Sequence, residues 1–254
     1  LARTAKASGR EDEFSVLIAG HFEQAGELLS AQEWYQRGAV NATLRYANAE
    51  ARHCLDHALA LTPTGDLEHC YDLIMAREKV INLLGDRAAQ LEDLNALADI
   101  ANRLAQPGRQ AEVGLRYAHY AEITGDYATA AQRASQAIDL ARQAGSARLE
   151  TTGHLQHGQI LRRQGLYDEA GRELMIALEH AQNLGLSAIE AECLHSLGKL
   201  AFHQGDYAAA STYYARTQQI HTHNRDLQGV GAVLNSLGIV ADSQGDYPSA
   251  AQYY

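Results

Sequence analysis

A short phrase that returns every forty residues constrains the fold of this 254-residue chain more than any other feature. Each of the four strong copies starts with a glycine, followed by a tyrosine two residues later and an alanine three residues after that. A fixed period of this size is typical of a solenoid, in which each repeat packs on its neighbours. The copies are Gly125, Tyr127 and Ala130; Gly165, Tyr167 and Ala170; Gly205, Tyr207 and Ala210; Gly245, Tyr247 and Ala250; and a weaker copy beginning at Gly85.

The residue types in the phrase predict a turn between two helices. Glycine has no Cβ, so it readily takes the left-handed conformation that ends a helix. The aspartate after it, as in Gly125-Asp126, accepts hydrogen bonds from the free N–H groups of the next helix. Tyrosine fills the seam between helices, and alanine lets two helices approach closely. Each copy therefore predicts an antiparallel pair, helix A before it and helix B after it, with the tyrosines as core residues.

Composition and charge narrow the class of protein. Only three prolines occur in the chain, which favours an all-helical protein, and no window resembles a membrane span. The formal net charge is −10, which argues against a nucleic-acid-binding surface. Three cysteines, Cys54, Cys70 and Cys193, are too few for a disulfide framework. We therefore expect a cytoplasmic protein with neither a membrane nor a nucleic acid as its partner.

A break at Gln106-Pro107-Gly108 divides the chain into two predicted regions. Residues 1–106 contain irregular, degenerate helical repeats, preceded by a polar lead-in over residues 1–12 that we expect to be frayed. Residues 107–254 contain the regular forty-residue repeats, the last of them truncated. The apolar pattern places the first helix of the second region at about residues 111–124.

The repeats resemble a known family. The segment 194–198, Leu-His-Ser-Leu-Gly, followed by Ala201, Tyr207 and Ala210, resembles a tetratricopeptide repeat, and Leu-Asn-Ser-Leu-Gly at 234–238 resembles it equally. The forty-residue period exceeds the usual thirty-four and looks like the longer version of kinesin light chains and bacterial regulators. The resemblance implies an all-α, right-handed solenoid of about six antiparallel helix pairs.

A second resemblance involves the first region. The run from His21 to Gly26 is followed by Ala31 to Tyr35, by Tyr-Ala-Asn-Ala-Glu-Ala at 46–51 and by Ala-Leu-Ala-Leu at 58–61. It looks like the stretch after the ATPase module of bacterial STAND-class signalling ATPases, which include LuxR-type regulators and ATPases fused to nucleotide cyclases. In that family the helical array senses a ligand or partner and releases the ATPase from autoinhibition. No Gly-x-x-x-x-Gly-Lys-Ser/Thr motif occurs, so we expect no P-loop binding of ATP in this chain. The resemblance implies a recognition module for a peptide, protein or small molecule that regulates an ATPase or transcriptional output located elsewhere.

In the tetratricopeptide family the A helices line a concave surface whose outward side chains suit a partner. Amides there could bond a peptide backbone, and Arg162, Arg163 and Lys199 could meet carboxylates. The alternative is an ordinary solvated polar face. Mapping the family's positions onto this chain predicts a ligand-binding strip of Arg116, His119, Gln156, Gln159, Arg162, Arg163, His195, Lys199, Phe202, His203, Asn235 and Ile239, flanked by Glu122, Ile123, Ser196, Ser236 and Asp242.

Other functions find less support in the residues. His53 and His57 lie four apart near Cys54, and His69-Cys70 follows, but no paired Cys-x-x-Cys or His-Glu-x-x-His accompanies them, so we predict no metal. No nucleophile motif is present, so we predict no catalytic residue, no enzyme activity and no cofactor. Two alternatives to a sensor stay open: a protein scaffold without a sensing role, and self-association through the open C-terminal end.

Overall fold

The computed structural model describes residues 14–254, so the predicted lead-in over residues 1–12 lies outside the described residues. Within residues 14–254 the chain forms thirteen α-helices and no β-strand, which confirms the all-α, solenoid-like repeat fold. The chain divides into two compact units between Gln106 and Pro107.

Unit 1 contains five helices, each packed against the next along the chain. Its largest fully buried side chains include Ile18, Ile81, Leu94 and Leu97. Burial of these groups supplies most of the driving force for packing. The helices are α1 (Ser15–Gln24), α2 (Leu28–Leu44), α3 (Asn48–Ala60), α4 (Leu67–Leu84) and α5 (Arg87–Leu104).

Unit 2 contains eight helices that alternate between A and B. Each helix packs against the next, and the A helices also contact each other from α6 to α8 and from α8 to α10. The A helices are α6 (Pro107–Ile123), α8 (Ala147–Arg163), α10 (Ser187–His203) and α12 (Leu227–Ser243). The B helices are α7 (Tyr127–Gln143), α9 (Tyr167–Asn183), α11 (Tyr207–His223) and α13 (Tyr247–Tyr253).

Left-handed residues separate the helices at a regular spacing. From residue 85 to residue 245 a residue with positive φ occurs every twenty positions, and seven of these nine positions hold glycine. The exceptions are Ala105, with φ of 52°, and Arg225, with φ of 56°. The aspartate that follows the glycine caps the next helix as predicted: the Asp126 carboxylate accepts a hydrogen bond from the N–H of Thr129 at 3.1 Å.

The first helix of unit 2 begins earlier than the sequence pattern indicated. We expected it at about residue 111, but α6 begins at Pro107. The prediction was wrong because proline interrupts the interior of a helix but is accepted at its first position. At the first helical position its fixed φ suits the helix, and its missing N–H would have no partner there.

The repeat tyrosines are less buried than predicted. Tyr127, Tyr167 and Tyr207 are half-buried at the edges of apolar clusters, so they do pack in the seams. Tyr247 is 68% exposed, and the prediction that it is a core residue is wrong. Tyr167 differs from Tyr247 in that it stacks on His203 of the next A helix.

Candidate functional site

The predicted strip lies on the four A helices of unit 2, and its residues occupy equivalent positions of successive repeats. One position of the repeat, sampled every forty residues, holds Arg116, Gln156, Ser196 and Ser236. A second position, three residues later in each repeat, holds His119, Gln159, Lys199 and Ile239. The turn positions repeat the same residue types, whereas these positions change type at almost every repeat. A regular framework therefore presents a varied set of side chains.

Hydrogen bonds tie the strip residues of neighbouring A helices together. The Gln156 amide nitrogen donates to the carbonyl oxygen of Leu115 at 3.1 Å, from α8 to α6. The Gln159 amide nitrogen donates to the Ser196 hydroxyl at 3.0 Å, from α8 to α10. These bonds restrict the side-chain rotamers before any ligand arrives, which lowers the entropy cost of binding.

His195 makes the corresponding link from α10 to α12. Its Nε2 lies 3.1 Å from the Ser236 hydroxyl, which itself donates to the Ala232 carbonyl at 3.1 Å. Burial, followed by the charge of Lys199, lowers the pKa of His195 to about 4. The imidazole is therefore neutral at neutral pH.

A groove of about 440 Å³ opens between α6 and α8. It brings together four predicted residues, Arg116, His119, Gln156 and Gln159. Glu192 of α10 also lines it, and burial raises the pKa of this carboxyl group. The rest of the lining consists of Glu112, Leu115, Glu122, Leu149, Thr152 and Leu155.

The remaining predicted residues lie outside that groove. Nε of Arg163 is bound to the carboxylate of Glu122 at 2.7 Å, so this cation already has an acidic partner. Phe202 packs edge-to-face on His203, with ring centroids 5.9 Å apart. On α12, Asn235 and Ile239 are exposed. The charges of Arg162 on α8 and Lys199 on α10 both act on His195 and on His203.

Unit 1 contains a second groove that sequence reasoning missed. It has a volume of about 530 Å³ and lies between α2 and α4. Three exposed aliphatic side chains, Val40, Leu44 and Leu83, line it. Their sequence signal was weak, because single exposed aliphatic residues are common on protein surfaces. The other lining residues are Gln36, Ala39, Thr43, Leu55, His69, Asp72, Leu73, Ala76, Lys79 and Val80.

Two of the candidate metal ligands of unit 1, His53 and His57, make aromatic ring contacts. His53 and His57 meet edge-to-face with centroids 4.5 Å apart, and His57 stacks on Tyr35 at 4.8 Å. Cys54 is buried, and burial raises the pKa of its thiol to about 11. Over residues 14–254, no three histidine, cysteine or acidic side chains come together in a way that could hold a metal ion.

None of the helices described for this chain combines the length and the apolar character needed to cross a bilayer.

Comparison with protein families identifies the repeats of unit 2. The tetratricopeptide repeat family model matches residues 149–222 and, in a second overlapping register, residues 197–254. Residues 149–254 therefore match the tetratricopeptide repeat family. The two registers overlap because adjacent repeats of the array are similar to each other. A comparison with curated protein sequences finds no match.

Solved structures share the fold of the tetratricopeptide repeat array and extend the likeness into unit 1. A Rap protein complexed with Competence and Sporulation Factor has a TM-score of 0.72 and 18% identity, over 99% of this chain and 71% of that one. BtubC from P. vanneervenii has a TM-score of 0.64 and 20% identity, over 86% of this chain and 87% of that one.

A STAND protein with a tetratricopeptide repeat sensor from Pyrococcus horikoshii has a TM-score of 0.70 and 16% identity. The match covers 93% of this chain but only 38% of the Pyrococcus protein. The predicted likeness to the sensor region of a STAND protein is therefore confirmed for the fold. At identities of 16–20% these three likenesses establish the fold alone.

Proposed function

We propose that this chain is a recognition module that binds a peptide or protein segment along the A-helix strip of unit 2. The observation that carries the proposal is the groove between α6 and α8, in which four strip residues from two successive repeats converge. A groove of about 440 Å³ lies within the range of ligand-binding pockets. It is too small for a folded domain, so the bound element is an extended or helical segment.

The chemistry of the strip suits a peptide backbone. A glutamine side chain has two N–H donors and one carbonyl acceptor, and the bonds of Gln156 and Gln159 to neighbouring helices use their amide nitrogens. Each side chain therefore keeps its carbonyl oxygen as an acceptor for a backbone N–H of the ligand. Leu115 and Leu155 supply apolar contact at the bottom of the groove.

We further propose that ligand binding regulates an ATPase or an output module outside these residues. The fold of the STAND protein sensor and the complex of the Rap protein with its factor support this role. A protein scaffold without sensing would use the same surface, and a small molecule could occupy the same groove. Self-association through α13 would instead leave the groove free, so the experiment below separates it from ligand binding.

The test uses a phage-displayed library of random twelve-residue peptides selected against the full chain. We expect the combined variant Gln156→Ala with Gln159→Ala to weaken binding of the selected peptides about tenfold or more, because at least one hydrogen bond per side chain is lost. The matched control is Gln132→Ala with Gln219→Ala, which removes two exposed glutamines from the B helices. Circular dichroism checks that both variants stay helical. Equal affinities for the groove and control variants would contradict the proposal.

A further inference from the structure

We propose that unit 2 carries a second binding site, for a basic segment of a protein partner, on its B-helix face. The site is a groove of about 340 Å³ that is lined by α9, α10 and α11, and we call it the B-face groove. The segment would place one arginine or lysine side chain, flanked by apolar side chains, in this groove. None of the lining residues belongs to the predicted strip, so the inference goes beyond the proposed function and does not depend on it.

The charge of the B-face groove is negative. Two exposed aspartates, Asp168 and Asp206, line it, and of residues 14–254 no lysine or arginine does. Asp206 caps α11 by accepting a hydrogen bond from the N–H of Ala209 at 2.9 Å, whereas Asp168 has no hydrogen-bond or ion-pair partner among the described residues. The nearby cation Arg172 is paired with Glu169 at 4.0 Å. Two carboxylates at one groove attract a cation, so the charge pattern fits a basic partner.

The other lining side chains suit a cation that is carried on an apolar stem. Tyr167 of α9 and Tyr213 of α11 are half-buried, and the face of a tyrosine ring attracts an ammonium or guanidinium group. Leu200 is buried and Met175 is 50% exposed, so both offer contact to the methylene groups of lysine or arginine. The charge of Arg162 interacts with Tyr167, but Arg162 does not line the groove.

The repeat register shows that the fold does not require this pair of acids. Asp168 corresponds to Ala128 in the preceding repeat and to Ala208 in the following one. Asp206 corresponds to Leu166 in the preceding repeat, which also precedes a B helix. Alanine and leucine at these positions serve the same helices equally well. The two carboxylates therefore add charge to one groove of the array without a packing role that the repeats share.

Met175 provides a reporter inside the B-face groove. The chain has two methionines, and the other, Met75, is buried in unit 1. Isotope labelling of the methionine methyl groups of the full chain therefore gives one NMR signal from the groove and one internal reference. The probes are four tripeptides with blocked ends: Leu-Arg-Leu, Leu-Lys-Leu, Leu-Gln-Leu and Leu-Glu-Leu.

We expect the arginine and lysine peptides to shift the Met175 signal saturably and to leave the Met75 signal in place. The glutamine peptide should bind about fivefold more weakly or worse, because it keeps the apolar residues and lacks the charge. The glutamate peptide should give no saturable shift. Equal affinities for the arginine and glutamine peptides, saturable binding of the glutamate peptide, or no saturable shift of Met175 with any probe would overturn the site.

Two substitutions remove the charge of the groove without removing a helix cap. Asp168→Asn changes a side chain that caps no helix, and Asp206→Asn keeps the cap because asparagine also accepts from the first turn. Together they should weaken binding of the arginine peptide about tenfold or more. The matched controls are Glu169→Gln, in the same first turn of α9, and Asp126→Asn, the equivalent cap two repeats earlier. Equal losses in the controls would show that only the net charge attracts the peptide, and the site would fail.

A third variant fills the groove without changing its charge. A Cβ atom built at Gly171 would lie 3.5 Å from Cδ2 of Leu200, an ordinary contact, so Gly171→Leu is compatible with the fold and occupies part of the groove. We expect the variant to stay helical by circular dichroism and to lose the saturable shift of Met175. Gln156→Ala with Gln159→Ala should leave that shift unchanged. Unaltered binding in Gly171→Leu, or loss of binding in the glutamine variant, would overturn the site, and neither result bears on peptides selected for the strip.

Discussion

Two glycines inside the A helices show how closely the helices of one repeat approach. A Cβ atom built at Gly198 would lie 2.5 Å from Cε1 of Tyr214, and one built at Gly158 would lie 2.7 Å from Cγ of Leu174. Both neighbours are buried side chains of the following B helix. Glycine at these positions therefore serves the packing of A on B, since it lacks the atom that would separate the helices.

We predict that Gly198→Ala destabilises the chain although alanine is the better helix former. The methyl group would force the Tyr214 ring to move, and overpacking of this kind costs about 1–3 kcal/mol. Gly231 in α12 is the matched control, because no atom lies within 4 Å of a Cβ built there. Gly231→Ala should stabilise the chain by about 0.5–1 kcal/mol. Thermal unfolding followed by circular dichroism measures both, and shifts of the same sign would refute the packing argument.

The sequence predicts which residues share the strip but not the bonds that they make. The forty-residue register places Gln156 and Gln159 on the A face without any coordinates. Gln159 is hydrogen-bonded to Ser196, whereas the buried Nε of Arg162 has no partner. This difference depends on whether side-chain atoms of adjacent A helices come within about 3 Å of each other. A periodic pattern specifies faces of helices, whereas such distances follow from how the helices pack.

At the scale of the helix, the turns follow a stricter rule than the glycine pattern suggests. The backbone turns left-handed every twenty residues from 85 to 245, yet the sequence reveals this only where glycine occupies the turn. The left-handed turn at Arg225, forty residues after Gly185, cannot be recognised from the sequence, because arginine rarely adopts a positive φ. The repeat of the backbone is therefore more regular than the repeat of the residues.

We predict that Arg225→Gly stabilises the turn between α11 and α12. The left-handed backbone conformation destabilises a residue that has a Cβ atom by about 1 kcal/mol, whereas glycine adopts it without strain. Gly185→Ala at the equivalent turn is the opposite change and should destabilise the chain by a similar amount. Its φ is 66°, and a Cβ there would meet no atom within 4 Å, so only backbone strain is tested. Chemical denaturation of the three proteins measures the differences. Destabilisation by Arg225→Gly would contradict the prediction, because the arginine side chain would then stabilise the fold by more than the backbone strain destabilises it.

At the scale of the molecule, unit 2 is held together by local contacts. Each of its helices packs on the next along the chain or on the A helix of the neighbouring repeat. In such an array the stability is close to a sum of repeat terms and interface terms between neighbours. The forty-residue phrase predicts this organisation. The irregular helices of unit 1, of 10 to 18 residues, have no comparable phrase, so their lengths and their apolar groove were harder to infer.

We predict that a fragment of residues 107–254 folds by itself and unfolds cooperatively on heating, because three apolar clusters of unit 2 are built from neighbouring helices of that unit. Circular dichroism measures its helicity and its unfolding midpoint. The matched control is a fragment of residues 127–254, which lacks α6. That helix supplies Ala118 and Ala121 to the cluster that contains Ala130, Ala134 and Ile160. Without it these three buried side chains meet water, so the shorter fragment should melt at a lower temperature. An unfolded longer fragment, or equal midpoints for the two, would show that unit 2 is not stabilised repeat by repeat.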